Sequence, residues 1–191
     1  MQQEQIDMLD RALRNGARVS RADYEQAWEN YQQCMISKGY TREPVQRYAN
    51  GLYASSSATN TEHMTKEQVT KFDEDYRECR VAYVLYVDET YRMAAGNADL
   101  LIDPSTGTVQ CLRTKALAPK NYTARQFSEE KQKYYELVPK YQYENALPDA
   151  NARAAREAFG IDLGNAGVMT CLVANGWDPP VDGQQRWKPL G

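Results

Sequence analysis

Histidine is almost absent from this chain of 191 residues: His63 is the only one, and it sits in a polar stretch without an obvious partner. Catalysis by a nucleophile and an imidazole base therefore has little to work with, and no Gly-x-Ser-x-Gly elbow occurs. There is no Walker loop and no Gly-x-Gly-x-x-Gly turn, so phosphate and dinucleotide binding lack their backbone cradle. The cluster Gly160-Ile-Asp-Leu-Gly164-Asn-Ala-Gly167 reads as helix punctuation instead. Cys-x-x-Cys is missing too, which leaves zinc without a local clamp, and Asp99, Asp103 and Thr106 do not follow a calcium-loop spacing. No metal and no cofactor is expected. No stretch approaches the ~20 apolar residues of a membrane-spanning helix. Lys and Arg number 23 against 26 Asp and Glu, a net charge of -3, so no basic footprint for nucleic acid or anionic lipid exists.

Phe and Trp are scarce at three each, whereas Tyr occurs fourteen times. A tyrosine buries its ring while its hydroxyl reaches water or a partner, which suits the edges of small helical cores and wet interfaces. Four cysteines are present, Cys34, Cys79, Cys111 and Cys171, each inside a segment that reads as helix.

Helical signals run along the chain. Ile6, Leu9 and Leu13 recur at helical spacing and Gly16 ends that segment. Ser20 opens a second helix with Tyr24, Trp28, Tyr31 and Met35 on one face, stopped by Gly39. Residues 41–64 are polar and turn-rich and read as a long loop. Thr65 and Gln68 form a capping box for a helix predicted to run to about Ala95. Its buried stripe is expected at Phe72, Tyr76, Cys79, Tyr83, Tyr86, Thr90 and Met93, a heptad rhythm. Further helices are predicted from near Thr106 through Cys111, from Thr123 to before Pro139, over residues 150–159 behind Asp149, and from Gly164 or Asn165 to Asn175. The expected fold is all-α, a disulfide-stapled multi-helix domain of about seven helices with no major sheet. It is one domain over 1–191, with two sequential halves (1–97 and 98–177) as a subdivision and an irregular tail over 178–191.

Two segments echo each other: Tyr31-Gln-Gln-Cys34-Met35, followed by Gly39-Tyr40, and Val168-Met-Thr-Cys171-Leu172, followed by Gly176-Trp177. An even cysteine count on helices suggests two disulfides. Of the three connectivities open to four cysteines, Cys34–Cys79 and Cys111–Cys171 is the favoured one, because the first bond would join the helices with the strongest aromatic faces. Reduced, buried thiols are the alternative if Met1 is native. The aromatic-x-x-Cys-(Met/Leu)-x-x-x-Gly-aromatic pattern resembles a signature of secreted proteins and lipoproteins of actinobacteria. Tyr31, Cys34, Met35, Gly39 and Tyr40 match it, and Cys171, Leu172, Gly176 and Trp177 match it with Val168 in the aromatic place. That resemblance implies an extracytoplasmic address, with a signal peptide or lipid anchor removed ahead of residue 1. It implies no activity.

The leading functional expectation is a non-enzymatic protein of the cell envelope or secreted space that binds a partner protein or envelope ligand. Tyr48, Tyr53, Trp177 and Trp187 flank loops or the tail and are the candidate binding residues. One alternative is a small cell-wall glycan hydrolase using paired carboxylates, for which Asp88 and Glu89, between Tyr86 and Tyr91, are the candidates. Another is a structural component of a surface or phage assembly.

Overall fold

A computed structural model describes residues 1–48, 51–55, 59–96, 103–137, 156–177 and 187–191. Among these residues there are seven helices and one two-stranded hairpin. The helices are α1 (Gln3–Arg14), α2 (Arg21–Ser37), α3 (Lys66–Tyr83), α4 (Leu85–Gly96), α5 (Pro104–Thr114), α6 (Ala124–Leu137) and α7 (Ala166–Ala174). The strands β1 (Gln46–Arg47) and β2 (Tyr53–Ala54) pair antiparallel, with Gln46 opposite Ala54. This hairpin falls inside the stretch expected to be a plain polar loop, and its Leu52 is fully buried. Asp149, Pro139, most of the helix expected over 150–159 and tail positions 178–186 lie outside the described residues.

The chain forms two compact units. Unit 1 comprises Met1–Val45, Ala58–Ala94 and Arg186–Gly191, and unit 2 comprises Gln46–Ser57 and Ala95–Gln185. In unit 1, α2 packs on α3, and α1 also lies against α3. Ser20 caps α2 by accepting from the Asp23 N–H (3.0 Å), and the expected face of Tyr24, Trp28, Tyr31 and Met35 is buried. In unit 2, α5 packs on both α6 and α7. Asp103 caps α5 and Pro104 occupies its first turn, where the missing N–H costs nothing. The core of this unit is built around Leu112, Phe127, Phe159, Leu172 and Trp177.

The predicted long helix over 65–95 is two helices, broken at Val84 (φ −131°, ψ −30°). The side chain of Gln5, fully buried on α1, is wedged into the break. Its Nε2 donates to the carbonyls of Val81 (3.0 Å) and Ala82 (2.8 Å), and its Oε1 accepts from the N–H groups of Tyr86 (3.0 Å) and Val87 (3.4 Å). One amide thus serves as cap for the end of α3 and the start of α4, groups that a helix terminus leaves without partners. The break shifts the buried register by one residue. Phe72, Asp75 and Cys79 face inward before it, and Val84, Val87 and Asp88 after it, so the expected Tyr86 is 41% exposed. The face of α1 is also offset by one residue, in the opposite sense: Gln5, Met8 and Ala12 are buried in place of the expected Ile6, Leu9 and Leu13, and Leu13 points to solvent.

Both echoing segments end their helices in the same way. The N–H of Tyr40 returns to the carbonyl of Met35 (3.2 Å), and that of Trp177 to Leu172 (3.0 Å), across glycines with φ of +94° and +79°. These are Schellman closures: Met35 and Leu172 lie three positions before the cap, the glycine takes the left-handed conformation, and the aromatic folds back onto the core. A third copy ends α5, where Leu117 N–H bonds to Leu112 carbonyl (2.8 Å) and Ala116 stands at φ +53°. In these three helices the cysteine immediately precedes the residue whose carbonyl closes the motif. The short signature is therefore a helix terminus with a staple one turn inside it.

Candidate functional site

Cys34 is bonded to Cys79 and Cys111 to Cys171, so each unit carries one bridge and no cysteine is free. In unit 1 the bridge joins α2 to α3, and in unit 2 it joins α5 to α7. Each cysteine lies near the C-terminal end of its helix, so each bridge locks a pair of helix termini side by side. Among the described residues no group of His, Cys, Asp and Glu could hold a metal ion, and no helix is long and apolar enough to cross a membrane.

The abundance of tyrosine has a common use: four buried carboxylates each accept a phenolic hydrogen bond. Tyr24 donates to Asp88 (2.9 Å), Tyr31 to Glu43 (2.5 Å) and Tyr40 to Asp75 (2.8 Å) in unit 1, and Tyr122 donates to Glu130 in unit 2. Burial, reinforced by the neighbouring carboxylate, pushes the Tyr31 and Tyr122 hydroxyls well above the usual phenol range. Burial and Asp75 push Tyr40 up to about 12. Asp75 itself is raised by burial, but hydrogen bonds from Lys38, Lys71 and Tyr40 outweigh that and hold its carboxyl at about 2. Lys38, bonded to both Asp75 and Glu78 (2.8 Å each), is raised in turn.

Asp88 and Glu89 do not form a carboxylate pair across a groove. Asp88 is buried, accepting from Tyr24 and from Arg92 Nε (2.7 Å), whereas Glu89 is exposed on the other side of α4. Adjacent helical residues diverge by about 100°, and here one of the two is taken into the core. His63 is exposed.

The four expected binding residues are dispersed, and three of them are core. Tyr53 is buried in β2, with the Arg47 guanidinium 5.0 Å from its ring centre. Tyr48 is half-buried at the end of β1, its N–H bonded to the Leu52 carbonyl (2.8 Å). Trp177 packs in unit 2 against Phe159 (5.2 Å), Phe127 and Tyr134 (5.6 Å each). Trp187 packs in unit 1 against Phe72 (5.3 Å) and Tyr76 (6.5 Å). Large rings beside a helix end or near the chain end are recruited inward because they bury more apolar area than any neighbour could.

Sequence reasoning missed Tyr135 on α6, a residue 54% exposed whose hydroxyl accepts from Trp177 Nε1 (2.9 Å). Lys131, one turn earlier, stands 5.3 Å over the Trp177 ring, and burial lowers its pKa. Together they make an outward aromatic edge backed by a rigid indole. The pair Tyr134-Tyr135 hinted at it, since on a helix only one of two adjacent rings can face the core. Unit 2 also has an open groove of about 270 Å³ lined by Thr106, Val109, Gln110, Arg113, Thr114 and Ala124, with no carboxylate among its walls. The chain matches no protein-family model, no curated protein and no solved structure.

Proposed function

We propose that the chain is a non-enzymatic, extracytoplasmic binding protein of the cell envelope or secreted space, recognising a partner protein or envelope ligand through tyrosine edges. The observation that carries this reading is the complete pairing of the cysteines, one bridge in each compact unit. Structural disulfides persist in oxidising compartments and are rare where thiols are kept reduced. With Tyr53, Trp177 and Trp187 committed to cores, the surface ring that best fits the binding role is Tyr135, held by Trp177 and flanked by Lys131. A rigid, half-exposed ring beside a cation loses little entropy on contact with a sugar face or a peptide.

Two measurements test it. Fractionation of the host with thiol alkylation before and after reduction is expected to recover the protein outside the cytoplasm with all four cysteines protected. Recovery as a reduced cytoplasmic protein overturns the assignment. Cosedimentation of the purified protein with isolated cell envelopes is expected to weaken about tenfold on Tyr135→Ala, the cost of losing one aromatic contact. Equal binding by the two proteins removes Tyr135 from the site.

A further inference from the structure

Residues 187–191 are the only part of the final third of the chain that belongs to unit 1 apart from the adjoining Arg186, and they lie in it as a ligand lies in a groove. The Trp187 carbonyl accepts from Asn60 N–H (2.7 Å), in a parallel bridge with Thr59. Thr41 reads the segment three times: its N–H donates to the Pro189 carbonyl (2.7 Å), its hydroxyl donates to the Lys188 carbonyl (2.6 Å), and the same oxygen accepts from Trp187 Nε1 (2.9 Å). The Trp187 indole, 2% exposed, fills a slot walled by Phe72 and Tyr76, and Pro189 is buried two residues on while Lys188 and Leu190 face out. Alternating inward side chains with main-chain hydrogen bonds on both flanks are how an extended peptide is recognised by strand addition.

We propose that this groove of unit 1 is a peptide-recognition site for an extended Trp-x-Pro segment of a partner protein, which the chain's own tail occupies in cis. The tail supplies the template for the ligand: an indole whose N–H reaches the Thr41 hydroxyl, three accepting carbonyls, and a buried proline. The tether keeps the tail at an effective concentration in the millimolar range, so a partner must present the same elements at higher affinity or act when the tail is displaced. The inference rests on the reading of the chain as a binding protein and names the partner class for a site apart from Tyr135.

The test uses the full chain with a protease recognition sequence in place of residues 180–185, cleaved after folding. A fluorescent peptide of residues 186–191 is then titrated into cut and uncut protein. Saturable one-to-one binding to the cut protein, with none to the uncut protein, is expected. Replacing Trp187 by Ala in the peptide is expected to weaken binding about 30-fold, the scale of losing a buried tryptophan anchor. Absence of peptide binding by folded, cut protein overturns the proposal. So does a concentration-dependent dimer of uncut chains with exchanged tails, which would make a second copy the occupant. If cutting unfolds unit 1, recovery of the near-ultraviolet circular dichroism on adding peptide supports the groove and no recovery overturns it. Because the titration reads the groove alone, its failure leaves the compartment assignment and Tyr135 standing, and theirs leaves the groove.

Discussion

Gln5 illustrates how one side chain can decide a backbone. Its amide meets two carbonyls and two N–H groups at the α3–α4 break, and no apolar residue of that size can replace it. Gln5→Ala is expected to cost about 2–4 kcal/mol, the sum of several buried backbone groups left without partners. Urea unfolding measures this, and Gln5→Glu should be more harmful at neutral pH than in mild acid, because a carboxylate repels the Val81 and Ala82 carbonyls. Ala116 makes the opposite case. It occupies the left-handed position that glycine fills in the two sister motifs. Ala116→Gly is expected to stabilise the protein by about 0.5–1 kcal/mol, with Gly39→Ala and Gly176→Ala destabilising, as read from thermal melts.

At the level of elements, close approach constrains where helices can end. A Cβ added at Gly96 would stand 2.5 Å from the Ala174 Cβ, within unit 2, where Asn175 Nδ2 also donates to the Gly96 carbonyl (3.1 Å). Gly96→Ala is expected to cost about 1–3 kcal/mol through overpacking, a loss visible in denaturant midpoints. The ion cluster that ties α2 to α3 sets a pH dependence. Asp75 has a folded pKa of about 2, below its unfolded value of about 3.9, so its contribution is complete above pH 4 and disappears as pH falls toward 2. An acid titration of stability is expected to flatten in Asp75→Asn. Tyrosine works in the other direction. Tyr40 holds its proton to about 12, and Tyr31 and Tyr122 beyond the normal range, so stability declines as pH rises above about 10. Phenolate absorbance should show these residues ionising together with unfolding.

The whole molecule consists of two compact units with one bridge each, closing sequence separations of 45 and 60 residues. In the chain-entropy account a loop of this length is worth about 4 kcal/mol. Replacing Cys111 and Cys171 together by alanine is expected to lower the stability of unit 2 by that order. Calorimetry should then resolve two transitions, the upper one belonging to unit 1. The units are not simple sequential halves. The hairpin at 46–54 belongs to unit 2, and the chain terminus belongs to unit 1.

Much of this was legible from local chemistry. Most of the helices, the capping residues Ser20 and Thr65 and the glycine stops follow from periodicity and spacing, because they depend on residues within a turn or two. The disulfide pairing, favoured among three connectivities from the aromatic faces of the helices, is the one that forms. What sequence could not supply was contact between distant segments. The break at Val84 arises from an amide about eighty residues away, and it reverses the burial of Tyr86 and Asp88. The capture of Trp187 by Thr41 and Asn60, and of Trp177 by the unit 2 core, likewise turned expected surface rings into interior ones. Composition and pattern determined most of the helices and that cysteines staple them. Only the tertiary structure decided which rings remain outside, since burial is set by partners that local sequence does not contain.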